Sequence, residues 1–236
     1  MGKFNTFLGY ETTYPVTAPF YSHSYNFYFL PFTHTGVMLD YNITDELGAA
    51  LYVVRGYDQS LKDNNDNLSY GAQLRYNPKA IAGLGLIFNI YGGPESGMNS
   101  RWLQVYNAVA TYKLTEEATI GAEFTYGNQD WSYWGYYYTS DRYDLAVYAS
   151  YAFNKYVTGN FRAEALWCNI NGLTSNILSF TLGATITPFP DTKFLSTLKV
   201  RPEVRWDTSG GDWGGGLYSG SDSQRVTAGL DIIYAF

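Results

Sequence analysis

Residues 225–236, with the sequence RVTAGLDIIYAF, alternate between two kinds of side chain and end on an aromatic residue. Neighbouring side chains of a β-strand point to opposite faces, so this stretch forms a strand with one apolar face and one largely polar face. The apolar face consists of Val226, Ala228, Leu230, Ile232, Tyr234 and Phe236. An apolar exterior, a polar interior and a terminal Phe are typical of the closing strand of an outer-membrane β-barrel, which repeats this period along the chain.

The two-residue period recurs twelve times. It predicts strands over residues 2–10, 33–42, 47–58, 68–76, 84–92, 102–114, 118–127, 142–153, 159–168, 177–187, 195–206 and 224–236. Short, turn-rich joints alternate with longer connections, which predicts periplasmic turns at one end and outer loops at the other. Because the number is even, we expect an all-β, transmembrane, antiparallel up-and-down barrel with both termini on the periplasmic side and residues 1–236 in a single domain.

Composition agrees with a barrel and excludes other classes. Of the 236 residues, 46% are hydrophobic and 15% are charged, yet no run approaches the roughly 20 consecutive apolar residues of a membrane helix. The net charge of −6 argues against a nucleic-acid partner. The single Cys168 permits no intramolecular disulfide. Since the chain opens on Met1-Gly2-Lys3-Phe4, which already has the pattern of a strand, we expect its export signal to lie outside this sequence.

Charged side chains indicate which face of each strand is wet. Lys199, Arg201, Glu203 and Arg205 share one face of the strand 195–206. An unpaired charge in a dry core costs several kcal/mol, and a midplane Arg or Lys facing lipid costs about 2 to 4 kcal/mol. A water-filled lumen is therefore the least costly location, and this cluster predicts a locally positive wall. The full set of predicted pore-lining residues is Asp40, Arg75, Glu123, Arg162, Glu164, Lys199, Arg201, Glu203, Arg205 and Asp231.

The remaining strand residues are assigned by the same alternation. Leu178, Phe180 and Leu182 are expected to face lipid, with Thr181 facing the lumen. Two strands leave either face open, and there we favour placing Arg55 and Lys113 in the lumen. Aromatic residues concentrate at membrane interfaces, so Tyr126, Trp167, Trp206, Tyr234 and Phe236 are predicted to lie there. Trp131, Trp134 and Tyr136 to Tyr138 could form a sugar-stacking platform, although an outer aromatic girdle with loop packing is favoured.

Residues 11–32 form the longest connection and are unusually rich in Pro and aromatic residues. Solvated loops are seldom this apolar, so part of the connection is expected to pack against something. It could extend the first hairpin above the membrane or fold inward and narrow the pore. A weak alternation over residues 25–29 favours the hairpin extension. The Gly, Ser and Thr residues that face the lumen argue for open space inside the barrel, whereas paired Arg and Glu could also brace a closed interior.

Five short segments carry a resemblance to a known family. They are GKF at 2–4, LGYE at 8–11, PFYSHSY at 19–25, PFTHTG at 31–36 and VRPEVRWD at 200–207. Together they resemble the OmpL-like β-barrels of the outer-membrane porin family. The resemblance implies a passive pore in the outer membrane of Gram-negative-type bacteria. Family members are usually longer and have strands before the GKF segment, which suggests a shortened or engineered member.

The predicted function is therefore an outer-membrane porin for passive diffusion of ions and small hydrophilic solutes. Its expected surroundings are the lipid bilayer and lipopolysaccharide, and the barrel assembly machinery is expected to act on the C-terminal strand. The alternatives are a plugged structural or adhesive barrel and an outer-membrane enzyme. The enzyme is disfavoured because the two histidines, His23 and His34, lie in or beside the first long connection, without a carboxylate at ligand spacing. No catalytic residue, metal site or cofactor is predicted.

Overall fold

The computed structural model of the chain describes residues 1–60, 62, 65–95, 101–133, 136–212 and 222–235, with the side chains of 131–133, 136 and 137 excepted. These residues form twelve strands and one short helix, α1, at Tyr25–Phe29. Among them, no helix is long and apolar enough to cross a membrane. The strands are β1 Gly2–Asn5, β2 Thr33–Asn42, β3 Leu47–Val54, β4 Ser69–Tyr76, β5 Leu84–Pro94, β6 Trp102–Lys113, β7 Ala118–Tyr133, β8 Tyr136–Ala152, β9 Val157–Ile170, β10 Leu173–Ile186, β11 Lys199–Gly211 and β12 Gln224–Ile233.

All twelve strands belong to one antiparallel sheet in chain order, from β1 to β12. Each strand pairs with the next along the chain, as in the β9–β10 ladder from Val157↔Ile186 to Ile170↔Leu173. Within the described residues, no ladder pair joins β12 back to β1. The all-β, up-and-down architecture predicted from the two-residue period is confirmed, and so is the number of strands.

The outer face of the sheet is apolar and accessible. Leu182 is 66% exposed and Ile232 is 67% exposed, and Phe180, Val204 and Leu230 are exposed on the same side of the wall. A water-soluble sheet rarely exposes such a continuous apolar surface, whereas a barrel wall in lipid requires it. The predicted faces of β10, β11 and β12 therefore agree with the structure.

One predicted orientation is wrong. Arg55 directly follows β3. Val54 is buried and Val53 is exposed, so the alternation places Arg55 on the outer face with Val53. The exposed Arg55 guanidinium donates to the Ser60 carbonyl at 3.1 Å, in the connection to β4. Lys113 has the parity of the inward-facing Val109, which matches the expectation for that residue.

The interior is less uniformly polar than the alternation predicts. Part of it is a hydrophobic cluster of Leu8, Leu30, Tyr52, Val54, Tyr91, Leu103 and Val105. The wall members of this cluster come from β3, β5 and β6, and Val54 and Val105 are completely buried. They can be apolar because chain, and not water, covers them. The expectation of a wet lumen thus fails at these wall positions.

Several strands differ in length from the prediction, most of all β1, β7 and β8. The first ends at Asn5 instead of residue 10, because the chain turns off the wall there and Gly9 adopts a φ of +96°. A Cβ at Gly9 would lie 2.9 Å from Leu30 Cδ1, so the turn also needs the missing side chain. The β7–β8 hairpin continues to Tyr133 and Tyr136, well beyond the predicted ends. Trp134 and the side chains of Trp131, Tyr136 and Tyr137, part of the suggested aromatic platform, lie outside what the structure describes.

Candidate functional site

Residues 6–32, called the inner segment below, leave the wall after β1 and fold into the interior. Their two ends stay together, because the Thr6 N–H donates to the Phe32 carbonyl at 3.0 Å. Between these ends the segment contacts inward-facing residues from β4 to β12. The prediction that this connection extends the first hairpin outward is therefore wrong. Tyr10, Phe20 and Phe29 pack against the inside of the wall, which explains their apolar character, whereas Tyr14 and Tyr28 are exposed.

Residues 7–10 of the segment, its first limb, are held by amide and carboxylate side chains of the wall. Gln73 Nε2 donates to the Phe7 carbonyl at 3.1 Å, and the Gly9 N–H donates to Asn107 Oδ1 at 3.2 Å. The Tyr10 N–H donates to Glu123 Oε1 at 3.1 Å. Extended chain that enters a barrel leaves backbone groups without strand partners, so the wall must supply those partners.

These amides form a continuous ladder across four strands. Gln73 Nε2 donates to Asn89 Oδ1, Asn89 Nδ2 to Asn107 Oδ1 and Asn107 Nδ2 to Glu123 Oε1, each at 2.9 Å. All four side chains are buried, and a buried amide is costly unless its donors and acceptors are used. The prediction from sequence, which followed charges alone, missed the three amides. Their signal was a polar residue at inward parity on each of β4, β5 and β6.

Residues 15–25 of the segment, its second limb, lie against a basic part of the wall. The side chains of this wall bind the carbonyl oxygens of the limb. Lys199 Nζ donates to the Val16 carbonyl at 2.7 Å, and Arg201 donates to the carbonyls of Pro15, at 3.2 Å, and Ala18. Arg205 Nη1 donates to the His23 carbonyl at 2.7 Å. Asn160 Nδ2 on β9 donates to the Pro19 carbonyl at 3.2 Å. The cationic face of β11 therefore faces polypeptide.

Two wall carboxylates bind the N–H groups of the same limb. Glu203 Oε2 accepts from the Ser22 N–H at 3.0 Å, and Glu164 Oε1 accepts from the Tyr25 N–H at 2.7 Å. The cations of β11 are also paired within the wall. Arg201 Nε lies 2.9 Å from Asp231 Oδ1, and Arg205 Nε lies 2.8 Å from Asp207 Oδ1.

Arg162 and Glu11 form the most deeply buried ion pair between wall and segment. Arg162 Nη1 lies 3.1 Å from Glu11 Oε1, and its side chain is fully buried. Glu11 also pairs with His23 Nδ1 at 2.7 Å and accepts from the Tyr148 hydroxyl at 3.2 Å. Burial alone would raise the pKa of Glu11. The hydrogen bond from His23 and the charge of Arg162 lower the pKa by more than burial raises it, so it lies below its ordinary value. This carboxylate remains ionised inside the barrel.

Aromatic rings of the segment occupy the space above four inward-facing glycines of the wall. A Cβ at Gly127 would lie 2.3 Å from Phe29 Cζ, and one at Gly121 would lie 2.7 Å from Tyr10 Cε2. The other two pairs are Phe20 above Gly183, at 3.2 Å, and Tyr21 above Gly229, at 2.6 Å. Real Cβ atoms do not approach other atoms below about 3 Å, so Phe29, Tyr10 and Tyr21 need glycine beneath them, and a Cβ at Gly183 would be in tight contact with Phe20. The glycines that were interpreted as open space are filled.

Three wall arginines stack on rings of the segment as well. The guanidinium carbon of Arg142 lies 4.5 Å from the centre of the Phe29 ring, and that of Arg205 lies 4.6 Å from the Tyr25 ring. Arg162 lies 5.0 Å from the Phe20 ring. Each such contact contributes about 0.5 to 2 kcal/mol, more when water is excluded.

The ten predicted pore-lining residues all have inward parity. Seven of them bind the inner segment directly: Glu123, Arg162, Glu164, Lys199, Arg201, Glu203 and Arg205. Asp231 reaches it through Arg201. Asp40 and Arg75 lie apart, paired with each other, with Arg75 Nη1 3.1 Å from Asp40 Oδ2. A role of these residues in lining a pore stays a prediction.

The predicted interface aromatics are on the outer face where they can be described. Trp167 is 46% exposed, Trp206 stacks on Phe180 with ring centres 5.7 Å apart, and Tyr126 contacts Tyr143 at 4.9 Å. Tyr234 is exposed near the end of β12. Phe236 lies outside the described residues.

The arrangement offers binding groups and ion pairs more than reactive ones. In the part of the chain that the structure describes, no three His, Cys, Asp or Glu side chains are grouped as metal ligands would be. His34 is buried, with Nε2 3.1 Å from Thr6 Oγ1, and His23 is held by Glu11. What the interior can do is present charges, hydroxyls and aromatic faces to whatever enters it.

Comparison with known proteins agrees with the fold of the wall. The family described as "Putative beta-barrel porin-2, OmpL-like" matches residues 1–236. The chain is similar in fold to the outer membrane channel DcaP of Acinetobacter baumannii, with a TM-score of 0.67 and 9% identity over 98% of this chain and 70% of that one. A loop L8 deletion mutant of OmpT, an outer membrane protein of Vibrio cholerae, gives a TM-score of 0.62 and 14% identity over 99% of this chain and 74% of that one. No curated protein matches the chain.

Proposed function

The chain belongs to the OmpL-like β-barrel porins of the bacterial outer membrane, and on that premise we propose that it forms a channel through which ions and small hydrophilic solutes diffuse. The inner segment sets the narrowest part of this channel. The observation that carries the proposal is the docking of residues 6–32 against the charged inner face of an otherwise lipid-exposed wall.

The charge distribution supports a transmembrane path. Apolar side chains such as Leu182 and Ile232 cover the outside, while the ionised groups of β9 and β11 point inward. In a bilayer, backbone groups must be bonded within the wall, and charges are tolerated only where protein or water solvates them. Arg162, Arg201 and Arg205 are solvated by the inner segment and by carboxylates, so we expect hydrated ions to pass beside the segment.

The inner segment limits what passes. Twelve strands spaced about 4.8 Å apart and tilted by about 40° enclose a backbone cylinder roughly 24 Å across, or about 10 to 14 Å after the lining side chains. The inner segment occupies much of that cross-section. The channel is thus suited to ions and small hydrophilic solutes, and the ten predicted charges would act on them at its rim and along its wall.

The orientation of the barrel belongs to the same proposal. The joints at residues 43–46, 114–117 and 153–156 are short, whereas β7 and β8 rise to a long hairpin at the opposite end. Barrels of the outer membrane have short periplasmic turns and long outer loops, so we expect the chain termini on the periplasmic side. Lipopolysaccharide would then surround the long hairpin, and the C-terminal strand would engage the assembly machinery.

Planar-bilayer recording of the folded protein tests the proposal. We expect discrete, ohmic current steps whose size stays below that of an unobstructed twelve-stranded barrel. Stable insertion without any current would overturn the channel function.

One observation favours a second candidate, a closed structural barrel. The inner segment is bound on nearly all sides, and wall residues that face it, such as Thr125 and Thr181, are fully covered. If no current is recorded although protease-resistant protein is inserted in lipid vesicles, the protein acts as a closed structural barrel.

A further inference from the structure

A small cavity opens between the start of the inner segment, residues 6–13, and its end, residues 27–32. Its volume is about 120 Å³, and all of its lining except Glu123 comes from β1 and the segment itself. An engineered cavity of about 150 Å³ holds benzene, so this smaller cavity can take only one edge or face of a six-membered ring, with the rest of the ring outside its rim. The rim is accessible, because Thr12, Thr13 and Phe32 are exposed.

The cavity has two chemically different sides. Phe27, Leu30, Pro31 and Phe32 form the apolar side, and the Phe27 and Phe32 rings lie 5.0 Å apart, tilted by 41°. The lining also includes the polar residues Asn5, Thr6, Thr12 and Thr13. The Thr6 hydroxyl lies 3.1 Å from His34 Nε2 and the Thr12 hydroxyl lies 3.1 Å from Thr17 Oγ1, and a hydroxyl can make further hydrogen bonds beyond these. His23 stacks on Phe27 with ring centres 3.7 Å apart, so the orientation of that ring is fixed from behind.

The charges around the cavity exclude ionic occupants. Glu11 and Glu123 border it and disfavour an anion. Both carboxylates already have partners: Glu11 pairs with Arg162 and His23, and Glu123 accepts from the Tyr10 N–H and from Asn107. A cation would have to displace these partners. The matching ligand is neutral, with an apolar face and hydroxyl groups around its edge.

We propose that this cavity is a binding subsite for a neutral monosaccharide in its ring form, held with its C–H face on Phe27 and Phe32 and its hydroxyls towards Asn5, Thr6, Thr12 and Thr13. The inference rests on the proposed channel function, since it places the subsite beside the path of solutes. It goes beyond that function by naming a class of solute. A site of this kind delays a sugar in the channel without closing it to other solutes.

Sugar-dependent block of the bilayer current tests the subsite. We expect D-glucose to reduce the conductance saturably, and mannitol, which is similarly rich in hydroxyls but has no ring, to act only through solution viscosity. Phe32→Leu keeps the apolar volume but removes the aromatic face, and should raise the half-blocking glucose concentration roughly five- to tenfold. Phe124→Leu, on the lipid-facing side of β7, is the matched control and should leave it unchanged. Equal effects of glucose and mannitol, or no effect of Phe32→Leu, would overturn the subsite.

A second measurement separates this inference from the channel function. Saturation-transfer NMR of the detergent-solubilised protein detects glucose binding without any current. If the barrel does not conduct but transfers saturation to the glucose ring protons, and loses that transfer in Phe32→Leu, the subsite stands and the channel function fails. If the barrel conducts but transfers no saturation to glucose, the channel function stands and the subsite fails.

Discussion

Arg162 shows at the scale of one residue why the interior could only partly be predicted. Its inward parity follows from the alternation of β9, and a charged residue there was correctly expected inside. Its partner Glu11 lies 151 residues away in sequence, and its guanidinium also bonds the Ser22 carbonyl at 2.9 Å. Nothing local to β9 marks these partners. Periodicity specifies which face a side chain takes, while the contact it makes depends on how a distant segment folds.

Replacing Glu11 by Gln tests this ion pair. The change leaves the buried Arg162 with Glu164 as its carboxylate, 3.3 Å away, and weakens the bond to His23. Hydrogen bonds to charged groups contribute about 1.5 to 3 kcal/mol, so the inner segment should open more often. Chymotrypsin, which cuts after the segment's aromatic residues, should then cleave folded Glu11→Gln faster than the parent. Glu116→Gln, in an exposed turn, is the control, and equal cleavage of all three proteins would contradict the role of Glu11.

The pH dependence of the segment follows from the same residue. The folded pKa of Glu11 lies below its ordinary value of 4.5, so its ionised form stabilises the docked segment above that range. This contribution is lost as the pH falls through the lowered folded value. Hydrogen exchange of the amides at 9–26, corrected for intrinsic rates, should therefore rise as the pH falls below about 4.5. His23, Arg162 and Tyr148 face Glu11 directly, and the wall carboxylates Glu123, Glu164 and Glu203 also bond the segment.

The comparison with Glu11→Gln isolates Glu11 from those wall carboxylates. The variant should lose protection already at neutral pH and show a smaller change on acidification. An acid profile identical to that of the parent would assign the transition to the wall.

At the scale of elements, β7 and the inner segment interlock through glycine. A glycine inside a strand weakens it, and the inward glycines were therefore interpreted as space in the lumen. The structure places Tyr10 above Gly121 and Phe29 above Gly127 instead. The information was divided between two distant parts of the chain, an aromatic-rich connection and a wall with small residues at inward parity. Each half was visible in the sequence, but their pairing required the fold.

A methyl group added at Gly127 should release helix α1. The new Cβ would lie 2.3 Å from Phe29 Cζ, and Phe29 has little room to move because Arg142 stacks on it. We expect Gly127→Ala to raise hydrogen exchange over residues 25–30 while the barrel itself remains folded. Gly92→Ala is the matched control, since its Cβ would meet Trp102 at an ordinary 3.6 Å. Unchanged exchange in Gly127→Ala would mean that the ring does not depend on this glycine.

The lipid-facing side of β10 makes a separate prediction. Leu182→Arg places a charge on the exposed apolar face, which costs about 2 to 4 kcal/mol near the bilayer midplane. Its yield of folding into lipid vesicles should fall well below that of Thr111→Arg, an inward position on β6 that the segment leaves half-exposed. Thr181 next to Leu182 is unsuitable as the control, because it is 1% exposed and accepts from Arg162. Similar yields for the two arginine variants would show that the faces are assigned wrongly.

At the scale of the whole molecule, wall and interior obey different rules. The wall is specified by local alternation, by the even number of strands and by the demand that lipid makes on backbone hydrogen bonds, and all three are legible in sequence. The interior is specified by complementarity between residues 6–32 and most of the strands. Arg201 and Arg205, expected to form a positive wall facing solutes, hold the carbonyls of that segment and pair with Asp231 and Asp207. Their effect on permeating ions therefore acts through the position of the segment first.

Removing the segment tests this view of the whole channel. Because the Thr6 nitrogen lies 3.0 Å from the Phe32 oxygen, residues 7–31 can be replaced by a Gly-Ser turn of about two to five residues without displacing β1 or β2. The loss of the segment uncovers Arg162, Arg201 and Arg205 together with their carboxylates, and water can solvate both kinds of charge. We expect a single-channel conductance several times that of the parent. In this deletion variant, changing both Arg201→Gln and Arg205→Gln should alter the ion selectivity at low salt. The change should be much smaller at 1 M salt, where the Debye length falls to about 3 Å. If the conductance of the deletion variant equals that of the parent, the inner segment does not set the bore, and the constriction lies elsewhere along the wall.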